Sequence, residues 1–319
     1  MKLRGIFFLS VFLFFHTTCF FPEKSFLFQG EYTENYVNRW GFQKLCDHVY
    51  DPHTNPYVWP THPEGKTFDP STVQEADLIF VRNVHQFMKK MHPKITKPYI
   101  MITAGEMRDQ VKEEHFEYLN EKNIIAWFAV HHDCEQYHPK FHPIPLGIFQ
   151  DKKFYTPRKE LTQTFAQWRQ APKKKLLYSN FGDVKGLKPE RADLVTQFEQ
   201  ADYCFTVQER IPFLLYMEQM SAFKFSLSPR GYGPDTYRTW EALLVGSIPI
   251  VRTSQLDALY TDLPILIVDQ WEQVTKTFLE QKYQEMTLKK WDIEKLFMEY
   301  WEKRIKDVQQ DFMIKKVGK

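Results

Sequence analysis

The chain has 319 residues, 43% of them hydrophobic and 26% charged, enough to build a packed core across one large or two mid-sized domains. A formal net charge of +2 leaves no basic stripe of the kind that tracks nucleic acid; the densest basic cluster, Lys173–Lys175, reads as a solvated loop before a strand. Cys46, Cys134 and Cys204 form an odd set in the body of the chain, which excludes a disulfide scaffold and leaves room for one bridge at most.

At the N-terminus, Lys2 and Arg4 precede an apolar run from Ile6 to Phe15, interrupted only by Ser10. A basic start followed by about 10–15 apolar residues is the pattern of a secretory signal peptide. Extended to Phe21, it also fits a short signal anchor. Residues 1–21 are therefore expected to direct the chain to the secretory route or a membrane, outside the fold.

Pro22 to Pro70 is rich in aromatics, proline and histidine and reads as loops and short strands. From Ala76 the pattern sharpens. Asp77–Arg82, Pro98–Thr103 and Ile124–Val130 are short continuous apolar runs, the signature of strands buried on both faces. The polar stretch Glu106–Asn120 between the last two fits a surface helix. Residues 22–150 thus form one α/β unit, and 151–174 a charged connection. A second series runs through strands at 176–179, 202–206, 223–227, 248–251 and 263–268, with helices at 191–200, 213–220 and 237–245. That unit spans 175–275, and 276–319 is a helical tail. Strands alternating with helices predict two parallel, Rossmann-like sheets.

The densest chemistry lies between Lys224 and Val251. A strand ends near Leu227, a loop carries Pro229, Arg230, Gly231, Tyr232, Gly233 and Pro234, and a helix starts after Asp235 or Thr236, either a competent N-cap. Ligands of open α/β sheets collect beyond the carboxyl ends of strands. A helix start there favours phosphate through its unpaired amides and positive dipole end. Arg230 and Arg238 add guanidinium groups suited to phosphate. Glu241, three residues after Arg238, shares its helix face and as an acceptor-only carboxylate suits a ribose diol; the same pair also fits an ordinary surface ion pair. Gly246 stops the helix.

Pro229-Arg230-Gly231, Arg238, Glu241-Ala242 and Gly246-Ser247-Ile248-Pro249-Ile250 stand in the order and spacing of the exostosin-like glycosyltransferases, which this segment resembles. The similarity covers 224–269 and continues weakly upstream around 143–148 and 178–191; Ser247 stands where the family more often has cysteine. The resemblance implies a GT-B fold, two Rossmann-like domains facing across a cleft, with a nucleotide-sugar on the second domain and a glycan or glycoconjugate acceptor on the first. It implies a UDP-linked donor as co-substrate and no tightly bound cofactor, with a divalent metal left open. Ser179, Asn180 and Arg191 are further candidates to line the donor site.

An inverting transfer needs a general base near the acceptor hydroxyl; Asp133, His132 and Glu106 are the candidates. The absence of any Asp-x-Asp argues against a metal-anchored single-domain design. His131, His132, Asp133, Cys134, His138 and His142 fit no standard zinc spacing, and a metal-dependent hydrolase built on them ranks last. Two further readings stay open, a GDP-fucose-dependent fucosyltransferase-like enzyme and a non-catalytic glycan-binding protein on the same fold.

Overall fold

The computed structural model describes residues 35–52, 67–104, 111–130, 134–149, 161–182, 189–207 and 209–317. The N-terminal targeting segment lies outside them, as do Glu106, His132 and Asp133. Among the described residues no helix is long and apolar enough to cross a membrane. Among the described residues none of Cys46, Cys134 and Cys204 forms a disulfide.

The chain is an α/β protein, and the described residues build two sheets of 5 strands each in which all the pairings are parallel. The first sheet contains β1 (His48–Tyr50), β2 (Leu78–Val81), β3 (Tyr99–Thr103), β4 (Ile124–Ala129) and β5 (Phe141–Pro143), side by side in chain order. The sequence of β2, Leu-Ile-Phe-Val, is fully buried, as is that of β3. Alternate residues serve opposite faces. Ile79, Val81, Met101 and Trp127 pack with Phe87 of helix α2 (Val84–Lys90) and with Phe116 and Leu119 of the short helix 113–120. Leu78, Phe80, Ile100, Ile102 and Phe128 face the other way, into the larger core.

Part of that second face is covered by elements from both ends of the chain. Helix α1 (Arg39–Lys44) contributes Phe42, whose ring meets Trp301 at 6.3 Å between centroids. Trp301 belongs to the C-terminal helix of residues Met298–Val317, which also donates from Gln309 Nε2 to the Ala76 carbonyl at 2.7 Å. The C-terminal helix thus returns to the first sheet. Strand β1 falls in the stretch read as loops and short strands; helix α1 is not foreseen there, because six helical residues are too few to show a period.

The second sheet contains β6 (Lys175–Ser179), β7 (Cys204–Thr206), β8 (Phe223–Leu227), β9 (Ile248–Arg252) and β10 (Leu266–Val268). Its spatial order is β10-β9-β8-β6-β7. Counted within the unit this is the order second, first, third, fourth, fifth, a doubly wound sheet that reverses direction between β6 and β8. Its helices are α3 (Thr162–Gln170), α4 (Pro189–Glu199), α5 (Phe213–Ser221), α6 (Tyr237–Val245) and α7 (Lys276–Thr287), and the C-terminal helix 298–317 is α8.

Lysines 173–175 do not form one solvated loop. Lys173 is buried, while Lys174 and Lys175 are exposed. The Lys173 ammonium donates to the carbonyls of Trp168, Ser221 and Val245 at 2.7, 2.8 and 2.7 Å. These carbonyls lie in the last turns of α3, α5 and α6, where unpaired C=O groups and the negative dipole ends draw a cation inward. Arg169 adds a bond to the Leu244 carbonyl at 3.1 Å. Burial and the neighbouring Arg169 pull the Lys173 ammonium down to about 7.

Helix α6 ends as its sequence dictates. Gly246 takes φ +80°, its N–H reaches the Leu243 carbonyl and the Ser247 N–H reaches Ala242, a Schellman ending. A Cβ at this glycine would lie 2.7 Å from the Arg169 carbonyl oxygen, so the residue is fixed by packing as well as by dihedral angle.

Candidate functional site

The switch point lies between the carboxyl ends of β6 and β8, where Ser179-Asn180 and the loop from Ser228 to Asp235 emerge. Ser228, Thr236 and Thr239 join their hydroxyls there, at 2.9 Å and 2.8 Å from the serine oxygen. This cluster ties the end of β8 to the start of α6. Thr236 is the residue before the helix, with extended backbone, yet its side chain does not cap it. The opening turn of α6 is left without a side-chain acceptor at the N-cap position.

Arg238, in that first turn, donates through Nε to the Asn180 carbonyl at 2.8 Å. Its guanidinium lies 5.7 Å from the Phe181 ring centre, and its terminal amino groups meet no hydrogen-bond partner among the described residues. It is half-buried. Asn180 in turn donates from Nδ2 to the Tyr178 hydroxyl at 3.1 Å. The side chain of Ser179 is buried and its carbonyl accepts the Val207 N–H at 2.8 Å.

Arg191, a candidate to line the donor site, is turned onto the loop backbone. Its buried guanidinium donates to the carbonyls of Arg230 at 2.9 Å, Gly182 at 3.2 Å and Pro229 at 3.2 Å. Three backbone carbonyls from two segments converge on one planar fork, which fixes the loop. Within the loop the Gly231 N–H donates to the Gly233 carbonyl at 3.0 Å, and the Tyr232 side chain stands 43% exposed between the two glycines. Gly231 is not crowded: the nearest atom to an added Cβ is Arg191 Nη2 at 3.4 Å.

Glu241 is brought to the same region but is only 5% exposed. Its Oε1 accepts the N–H of Phe149, at 3.2 Å, from the segment that leaves the first sheet. The Phe149 ring sits edge-on to Tyr237 with centroids 5.2 Å apart. One turn earlier in the same segment, the Leu146 N–H donates to Asp235 Oδ2 at 2.7 Å. Two carboxylates therefore fasten residues 146–149 across the front of α6.

Neither a protein-family model nor a curated protein sequence matches this chain.

Asp235, read from sequence only as a helix cap, is the hub of the region. It is fully buried and accepts from Leu146 N–H, from Thr236 N–H at 2.9 Å, from Trp240 Nε1 at 2.8 and 2.9 Å, and from the Tyr260 hydroxyl at 3.2 Å. Burial pushes its carboxyl up to about 6 against the pull of these donors. Between about pH 4 and about pH 6 the native state keeps a proton that the unfolded chain has released, so this group's contribution to stability is lost as pH rises through that window. The stability advantage of wild type over Asp235→Asn is expected to shrink by about 2 kcal/mol from pH 4 to pH 7. Urea titrations of both proteins at each pH read this directly, and a constant difference refutes it.

The histidine-rich stretch divides. His142 stacks on Phe128 at 4.7 Å in the first sheet, and burial with the nearby Arg304 takes its pKa down to about 4. His138 accepts the Lys140 N–H at 3.2 Å. Each has a local packing or turn role. His131, His132 and Asp133 lie outside the described residues.

Proposed function

We propose that the chain is a glycosyltransferase that moves a sugar from a nucleotide-sugar, UDP-linked by the exostosin-like resemblance, to a glycan or glycoconjugate acceptor, on a GT-B arrangement of its two parallel sheets. The observation that carries this reading is the switch point: the order of the second sheet opens a crevice between β6 and β8, and the motif residues lie there. Arg238 stands at that opening on Asn180, and the Arg230 loop is clamped beside it by Arg191.

In this reading the start of α6 and Arg238 receive the leaving diphosphate, supplying positive charge in a preorganised frame. Arg230 approaches from the loop. Glu241 takes the pentose, and a carboxylate has enough lone pairs, about four, to keep the Phe149 N–H while accepting a hydroxyl. Because Glu241 is nearly buried, the 146–149 segment gives way as the nucleotide enters. Asp133, His132 and Glu106 remain the proposed acceptor-side bases. The acceptor is assigned to the first sheet, and a lumenal or membrane-associated location follows from the N-terminal segment.

A screen of nucleotide-sugars for donor hydrolysis tests the proposal. Slow release of UDP from one UDP-sugar is the expected result, at a rate reduced at least about tenfold in Arg238→Ala. Release of GDP from GDP-fucose alone would select the fucosyltransferase-like reading. Silence with every donor would select the glycan-binding one.

A further inference from the structure

One aromatic ring lies against two of the arginines at the switch point. Phe181 follows the end of β6 by two residues and is only 4% exposed. The guanidinium carbon of Arg238 lies over its ring, 5.7 Å from the centroid, and that of Arg191 at 5.9 Å. Both distances fall within the range, about 6 Å, over which a ring quadrupole attracts a cation.

The two arginines are engaged differently. Arg191 turns its guanidinium onto the carbonyls of Arg230, Gly182 and Pro229. Arg238 is held by hydrogen bonding at one atom, Nε, by the Asn180 carbonyl at 2.8 Å. One such bond fixes a point on the guanidinium and leaves the group free to turn about it. A ring beside it adds a second support. The carbonyl and the ring belong to consecutive residues, Asn180 and Phe181, so the chain leaving β6 sets both. The two Nη atoms are then left for an anion, in the planar fork that matches a pair of phosphate oxygens. A buried ring also lowers the local polarity beside the cation, which strengthens its pull on an incoming charge.

We propose that Phe181 is a positioning residue of the donor site: its ring holds the Arg238 guanidinium in the orientation that receives the diphosphate. This rests on the nucleotide-site reading above and adds a requirement to it, that Arg238 binds tightly only while the ring supports it. Leucine fills much of the same space without a π face, so it separates packing from the cation–π contact. Arg191 offers the rival route. A ring that mattered only through the loop clamp would act whether or not Arg238 is present.

The test is calorimetric titration of UDP into wild type, Phe181→Leu, Arg238→Ala and the variant carrying both changes. Phe181→Leu is expected to weaken UDP binding about tenfold, and to change it by less than about twofold once Arg238 is already alanine. A merely structural ring would lower affinity equally in both backgrounds. Phe181→Met carries the same comparison if the leucine variants do not fold. Unchanged affinity in Phe181→Leu overturns the proposal, as does a loss of the same size in the Arg238→Ala background, which would place the ring's effect on the loop; in both cases the nucleotide site survives. Wild type that binds no UDP overturns the site reading itself, and the role of Phe181 with it.

Discussion

Replacing Lys173 by methionine is expected to cost about 3 kcal/mol of folding free energy, while the same change at Lys174 should fall within about 0.5 kcal/mol of wild type. The two residues are adjacent and chemically identical, so the contrast isolates the environment. The Lys173 ammonium holds carbonyls in the last turns of α3, α5 and α6, the Trp168 carbonyl accepting the Ala171 N–H as well. Methionine keeps the length and packing of the stem and leaves those carbonyls facing an apolar terminus. The cost is held below the full sum of three lost bonds because burying the ammonium is itself unfavourable, as its depressed pKa near 7 records. Lys174 is exposed and its removal changes little. Guanidinium denaturation followed by tryptophan fluorescence reads both variants, and equal midpoints would show that the buried ammonium is dispensable. The site depends on this anchor, since α6 is held at its carboxyl end by Lys173 and Arg169 while its other end faces the crevice.

Arg238→Ala is expected to lower affinity for a nucleoside diphosphate by about 100-fold, with a change in stability below about 1.5 kcal/mol. Among the described residues this side chain makes one hydrogen bond, to the Asn180 carbonyl, so little of the fold rests on it. Charge-assisted bonds to a diphosphate are lost entirely with alanine. Lysine should recover only part of the affinity, because it restores the charge without the planar fork. Calorimetry with UDP against the three proteins, beside their unfolding curves, separates binding from folding. Undiminished affinity in Arg238→Ala would remove the residue from the site.

The elements with strong local signals were legible. The continuous apolar runs became β2, β3 and β4, and the span Tyr237–Val245 became α6, bounded by Thr236 and Gly246. These follow from period and caps, which are properties of neighbouring residues. What was not legible depends on partners far along the chain. Asp235 carries no mark in its own segment of the contacts it makes with Leu146 and Tyr260. Lys173 looks like its exposed neighbours until three helix ends, the farthest of them at Val245, are brought around it. Strand order is the largest gap, since the reversal between β6 and β8 is a property of the assembled sheet. The motif around Arg230 and Arg238 falls on the loop beside the reversal between β6 and β8, which only the topology reveals.

Arg191 and Glu241 show how candidate ligand-binding side chains can be engaged by backbone groups. Both are polar and near the loop, yet one is turned onto three carbonyls and the other onto the Phe149 amide. Sequence spacing places them in reach of a phosphate or a sugar and is silent about which backbone groups compete for them.

A crystal structure of the protein with UDP locates the ligand outright. The diphosphate is expected against the first turn of α6 within hydrogen-bond distance of Arg238, with the pentose beside Glu241. A diphosphate bound anywhere else, or none bound at saturating UDP, would contradict the nucleotide-site reading.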